Sequence, residues 1–211
     1  MFPDISGTIR RAVRPQAKAA PVVLPKLDWV PTQACGSRNG AKVQRVVLHR
    51  WGASYTTVSA ESSSYQGVIN EFKNPRNQAS AHIVLPGSAV LGRATQMIPW
   101  DTKAWTEAYY NPTSVEIECA DAIWLGKDPH GLAVAARITA FLLNKYNLPA
   151  VHSVEKGFCR HGDLGTAGGG HTVCPVPAGA PIWDAFTALV KHEAARGGFL
   201  SVWGLEHSPA V

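Results

Sequence analysis

Two histidines and one cysteine have the types and spacing of metal ligands. His161 opens a glycine-rich run that closes thirteen positions later on Cys174, and His49 ends an apolar run far upstream. Two imidazoles and one thiolate suit Zn²⁺, and three protein ligands leave a fourth position open. Zinc makes water nucleophilic near neutral pH, so that it can attack an amide or ester. These residues therefore predict a zinc site and a hydrolase.

The run from His161 to Cys174 has two other interpretations. A glycine-rich loop can cradle phosphate, although no Gly-Lys-Ser/Thr ending follows here. A cysteine nucleophile beside histidines is the second. Cys174 precedes Pro175 and has no obvious helix N-terminus to lower its pKa, which favours a metal ligand. His49, taken alone, is more typical of a core or surface histidine whose hydrogen bonds are simply satisfied.

Glu116 and Glu118 are the candidate general bases. They lie two positions apart in an apolar segment, so on a strand they share a face. A carboxylate in such a segment is costly unless it is paired or functional, and near zinc it could accept a proton from water. An ordinary exposed strand face is the alternative.

The hydrophobic pattern predicts an α/β fold, with a central mixed β-sheet flanked by helices in a single domain. Buried strands are expected at 43–48, 81–85 and 114–120, and a hairpin partner at 89–98. Helices are expected at 59–72, 131–146 and 181–195, the second capped by Asp128 and Pro129. Residues 1–28 form a predicted basic arm, 29–196 the domain and 197–211 a tail.

Composition and net charge indicate which kinds of partner the chain would bind and in which compartment it is made. The net charge of +5 favours anionic partners, which include nucleic acid, lipid surfaces and acidic wall polymers. No run approaches the about 18 apolar residues of a membrane span, and the N-terminus lacks the apolar core of a secretory signal. We therefore expect the four cysteines to be free thiols and the compartment of synthesis to be reducing.

Short blocks in a fixed order resemble the type 2 N-acetylmuramoyl-L-alanine amidases, which share a fold with peptidoglycan-recognition proteins and many phage endolysins. The resemblance covers about 43–186. The blocks are Val-Val-Leu-His-Arg-Trp-Gly at 46–52, Ser-Ala-His-Ile-Val at 80–84, Gln-Met-Ile-Pro-Trp-Asp at 96–101, Ala-Trp at 104–105, Asn111, Ser-Val-Glu-Ile-Glu at 114–118, His-Gly-Asp-Leu at 161–164, Cys-Pro at 174–175 and Ile-Trp-Asp at 182–184.

The resemblance implies roles for individual residues. His49, His161 and Cys174 would be the zinc ligands, and Glu118 falls where many members keep a catalytic glutamate. Thr172 stands at the family's other catalytic position, two residues before the last ligand. Its neighbour His171 is expected to share in stabilising the oxyanion, to contact a zinc ligand without binding zinc itself, or to compete as a zinc ligand. Asp163 is a candidate for orienting a ligand imidazole.

The chain departs from the family pattern in two places. After the Ala-Trp pair it has Thr106, Glu107 and Ala108 where members often have His and then Gly, which puts substrate contacts of this loop in question. Ala81 stands where some relatives have tyrosine, which favours the glutamate-dependent variant. His82 is then expected to be structural.

The resemblance implies a Zn²⁺-dependent amidase that cuts the bond between N-acetylmuramic acid and L-alanine of peptidoglycan, as a monomeric phage endolysin made in the host cytoplasm. The basic arm would contact anionic wall polymers or membranes. Alternatives are a peptidoglycan-binding module without activity, a cytoplasmic amidase that recycles wall fragments, another zinc peptidase of the wall, and a nucleic-acid-binding protein. No nucleic-acid motif is present, so nucleic acid is not expected as a partner.

Overall fold

The computed structural model of the chain describes residues 26–51, 58–87 and 93–196. Its strands are β1 (Lys26–Trp29), β2 (Gly36–Ser37), β3 (Arg45–Trp51), β4 (Ile83–Leu85), β5 (Arg93–Gln96), β6 (Thr102–Lys103), β7 (Ser114–Ala120) and β8 (Gly157–Arg160). Its α-helices are α1 (Val58–Lys73), α2 (Asp121–Trp124), α3 (Pro129–Lys145) and α4 (Pro181–Arg196). Short 3-10 segments include Ala108–Thr113 and His161–Gly168.

Six strands form one mixed sheet in the order β1-β5-β4-β7-β3-β8. β5 runs antiparallel to β4, whereas β4, β7, β3 and β8 are mutually parallel neighbours. β2 and β6 form a separate antiparallel pair. The predicted mixed sheet flanked by helices is therefore confirmed, and so is the antiparallel pairing of the hairpin strands.

The two faces of β3 have different neighbours. Val46 and Leu48 belong to the main hydrophobic core. Val47 belongs to a small second cluster with Cys159 and Leu164. Because alternate strand residues point to opposite faces, His49 lies on the face of Val47, outside the main core.

The long helices support the sheet. α3 contacts β3 and β8, and α4 packs against α3. Asp128 caps α3, because its Oδ1 accepts a hydrogen bond from the Gly131 amide at 2.8 Å. Pro129 occupies the first turn, as expected. None of the helices in the described ranges is long and apolar enough to cross a bilayer.

Some boundaries differ from the expectation. β3 does not end at His49 but continues to Trp51, because Arg50 and Trp51 pair with the final residues of β7. β8 was not predicted, since four residues are too short to show alternation. β1 begins at Lys26, so three residues assigned to the basic arm belong to the sheet.

Several predictions concern segments outside the described residues. They are residues 1–25 of the arm predicted at 1–28, residue 88 of the predicted turn with the first residues (89–92) of its hairpin strand, and the tail at 197–211. All four cysteines lie within the described ranges and are free, as expected.

Candidate metal and catalytic site

Three adjacent strands place three candidate side chains in one row. His49 on β3 is in register with Glu118 on β7. On the other side, Leu48 pairs with Arg160 at the end of β8, so His161 follows directly beside His49. Neighbouring strands lie about 4.8 Å apart, and paired residues face the same side. The two imidazole centroids are accordingly 4.5 Å apart.

Cys174 completes a candidate metal site. The ligand atoms of His49, His161 and Cys174 all lie within 4.8 Å of one another, and both histidines are buried. It is the one such group of three among the described His, Cys, Asp and Glu residues. Ligands around one tetrahedral zinc lie about 3.3–3.6 Å apart, a separation that follows from its bond lengths. The donor set and its compactness therefore fit Zn²⁺.

Hydrogen bonds fix which ring nitrogen faces the site. The Nε2 of His49 lies 3.0 Å from Oε1 of Glu107. The Nε2 of His161 donates to the Gly168 carbonyl at 2.7 Å. Each Nδ1 is thus the nitrogen left for a cation, and ligand imidazoles typically bond an oxygen through the other nitrogen in this way.

The loop that carries Cys174 is fastened back onto the start of the 3-10 segment. The Gly162 amide donates to the Cys174 carbonyl at 2.7 Å. A Cβ on Gly162 would lie 2.6 Å from the Thr172 carbonyl oxygen, so only glycine permits this approach. The glycine-rich sequence therefore brings the cysteine to the histidines.

Burial sets the protonation of the three candidate ligands. It lowers the pKa values of His49 and His161 to about 4, so both are neutral at pH 7, as metal ligands must be. It raises the pKa of Cys174 to about 12. A nucleophilic cysteine needs a lowered pKa, so the arrangement disfavours that alternative.

Glu118 and Glu116 have different surroundings. Glu118 is 7% exposed, and burial raises its pKa to about 8. Glu116 is fully buried, and its carboxylate contacts Nδ1 of His82. His82 also bonds the Thr102 carbonyl at 3.0 Å through Nε2. His82 is therefore part of a buried polar network and is not among the candidate ligands, in line with the structural role expected of it.

His171 and Thr172 both lie exposed in the cysteine loop. The ring of His171 packs against that of His161, with centroids 4.7 Å apart. The described hydrogen bond of Thr172 runs from its backbone amide to the Gly170 carbonyl. The structure thus brings the His171 side chain against His161, a candidate ligand. The hydrogen bond described for Thr172 involves only its backbone.

Asp163 does not have the role predicted for it. Its Oδ2 accepts from the Arg160 amide at 2.9 Å and contacts Nε2 of His152 at 2.7 Å. The partner of the His161 ring is instead the Gly168 carbonyl. Asp163 holds the turn from β8 into the 3-10 segment, so the prediction that it orients a ligand imidazole is wrong.

Glu107 was missed as a site residue. It is fully buried beside His49, and burial together with the nearby Glu116 carboxylate raises its pKa well above the usual range. Its only sequence signal was the departure from the family pattern after the Ala-Trp pair. That signal does not distinguish an exposed loop residue from a buried partner of a ligand.

Comparisons with known proteins agree with this geometry. A family model described as N-acetylmuramoyl-L-alanine amidase matches residues 39–177, more than half of the chain. No curated protein sequence matches significantly.

Solved structures share the fold. Staphylococcus aureus hydrolase AmiA, in complex with its ligand, is 17% identical with a TM-score of 0.61, covering 87% of this chain and 90% of its own. A mutant endolysin from Bacillus subtilis is 17% identical with a TM-score of 0.53, covering 80% and 99%. A derivative of AmpD is 19% identical with a TM-score of 0.53, covering 79% and 96%. At such identities the likeness establishes the fold alone.

Proposed function

Because the chain belongs to the N-acetylmuramoyl-L-alanine amidase family, we propose that it is a zinc-dependent enzyme that hydrolyses the amide between the lactyl group of N-acetylmuramic acid and L-alanine of the stem peptide. The observation that carries the proposal is the convergence of His49, His161 and Cys174 within 4.8 Å. Glu118 lies in register beside the first of them.

The three ligand residues would hold Zn²⁺ through two Nδ1 atoms and one Sγ. When bound, the ion supplies Lewis acidity toward the scissile carbonyl and lowers the pKa of water. A non-catalytic wall-binding module has no need of this donor set. The two buried imidazoles and the thiol therefore favour catalysis over binding alone.

Glu118 is the proposed general base and acid. Its carboxylate takes a proton from the attacking water as the new C–O bond forms. It then returns that proton to the nitrogen of alanine as the C–N bond breaks, which releases a carboxylic acid and a free amine. A carboxylate on a rigid central strand, in the row of the ligand histidines, is held at one distance from the reacting atoms.

His171 is the proposed donor to the developing oxyanion, with Thr172 as the alternative. The ring contact of His171 with His161 supports this order. We expect His171→Ala to lower kcat by about 10²-fold, the usual cost of one oxyanion donor. Thr172→Val is expected to lower kcat less than tenfold by the same comparison. Steady-state kinetics on a muramyl peptide check both, and a larger loss in the threonine variant contradicts the assignment.

We extend the proposal to lysis of a host wall during phage release. The structural likeness to a Bacillus subtilis endolysin supports a lytic enzyme. The second candidate role is that of a cytoplasmic amidase that recycles wall fragments. Intact sacculi and soluble muramyl peptides, given as competing substrates, separate the two roles.

The proposed bond is tested by product analysis. Purified sacculi incubated with the zinc-loaded protein are expected to release stem peptides with a free N-terminal alanine and no attached amino sugar, while the glycan stays intact. Cys174→Ser serves as the inactive control. Mass spectrometry that finds cuts within the stem peptide points to a peptidase, and binding without any released peptide points to a recognition module.

A further inference from the structure

Glu107 is an unusual residue for the loop that contains it. Its side chain is fully buried, whereas Ala108 and Tyr109, which follow it, are exposed. A buried carboxylate is costly unless it is paired or has a function. We therefore expect the carboxyl group of Glu107 to contact a specific polar or charged side chain.

The loop around Glu107 is tied down by the side chain of Asn111. Its Oδ1 accepts hydrogen bonds from the Thr106 amide at 3.0 Å and from the Glu107 amide at 2.6 Å. The Trp105 amide donates to Oγ of Ser80 at 3.0 Å. These bonds fix the backbone on both sides of Glu107.

The partner of Glu107 is a candidate ligand. Its Oε1 lies 3.0 Å from Nε2 of His49, whose side chain is 2% exposed. The other oxygen, Oε2, is buried without a hydrogen bond of normal geometry among the described residues, although the nearby Ser114 side chain acts to lower the pKa of the carboxyl group. If the carboxyl group served only to fill space, the desolvation of this oxygen would destabilise the fold without a compensating interaction. The interaction that Glu107 contributes is its hydrogen bond with His49.

We propose that Glu107 is a positioning residue that holds the His49 imidazole with Nδ1 toward the zinc and strengthens that nitrogen as a ligand. The inference rests on the proposed zinc-dependent function. A cation on Nδ1 keeps the proton on Nε2, where Oε1 accepts it. The hydrogen bond from Nε2 to Oε1 then raises the basicity of Nδ1 as a ligand.

Zinc affinity of the purified full-length protein tests the proposal, measured by competition with a chromophoric chelator. We expect Glu107→Gln, which keeps the shape but replaces the carboxyl group with an amide, a weaker hydrogen-bond acceptor, to weaken zinc binding about tenfold. Glu107→Ala is expected to approach 100-fold, the upper end for residues that orient a metal ligand. The visible spectrum of the Co²⁺-loaded Gln variant is expected to shift, which a merely structural role would not produce.

Glu193→Gln is the matched control. Glu193 is also buried, but it lies on α4 and contacts Arg196 at 3.4 Å. It is expected to bind zinc like the wild-type protein. Thermal midpoints of the metal-free proteins establish folding, and if the Ala variant does not fold, the Gln variant decides. A folded Gln variant with wild-type zinc affinity overturns the proposal for Glu107, whereas a wild-type chain that binds no zinc overturns the proposed function itself.

Discussion

Glu118→Gln is expected to lower kcat for hydrolysis of the muramyl amide by about 10²–10⁴-fold, the usual contribution of a positioned general base. The amide side chain has nearly the same shape as the carboxylate but cannot accept the proton of water. It also cannot return a proton to the leaving amine. Because Glu118 is not among the proposed ligands, the zinc content should stay at one ion per chain.

Glu116→Gln is the comparison for this prediction. Glu116 lies on the same strand and face, but its carboxylate contacts His82. The folded Glu116→Gln protein is expected to keep kcat within a few-fold of wild type. Measured kcat and zinc content of both variants check the assignment. A Glu118→Gln variant that still cleaves sacculi at the wild-type rate with zinc bound contradicts the proposed proton transfer.

Cys174→Ser is expected to lose both the metal and the activity. A serine hydroxyl does not ionise as readily as a thiol and is a weaker ligand for zinc. The ion's contribution to transition-state stabilisation is several kcal/mol, which corresponds to at least about 10³-fold in rate. Removal of metal from the wild-type protein by a chelator should have the same effect, and added Zn²⁺ should restore the rate.

Cys35→Ser provides the control for that substitution. Cys35 is also a partly buried free thiol, but it contacts the Thr32 carbonyl. It is expected to keep zinc and activity. Metal analysis and rates of sacculus hydrolysis measure both variants. If Cys174→Ser retains stoichiometric zinc and full activity, the thiol is not a ligand.

The main elements could be predicted because their residues carry strong local patterns. Every residue of β7 is buried, and its weak alternation, too little for a half-exposed strand, marked it as a central strand. Asp128 and Pro129 marked the start of α3. Short elements had no such signal. β8 has four residues, yet it is the strand that delivers His161 to the site.

Sequence alone could not supply the register of the sheet. The row of Glu118, His49 and His161 depends on β7, β3 and β8 being neighbours in that order. No local pattern encodes the order of strands. The resemblance of the sequence to a family indicated that these three residues belong to one site. The order of the strands gives the physical reason why they lie close together.

The polar contacts behind the site were the least predictable part. Asp163, two residues after His161, was expected to orient an imidazole, but it bonds Arg160 and His152. Glu107, 58 positions from His49 in the chain, contacts that ligand instead. Proximity in sequence is a poor guide here, because the backbone turns the Asp163 side chain toward β8.

The central claim is that one zinc ion is held by two imidazoles and the Cys174 thiolate. X-ray absorption at the zinc edge of the purified wild-type protein tests it most directly. The expected spectrum contains one sulfur at about 2.3 Å and two imidazole nitrogens at about 2.0–2.1 Å. The sulfur signal should disappear in Cys174→Ser loaded with excess Zn²⁺. A wild-type spectrum with only oxygen and nitrogen around the zinc contradicts the account.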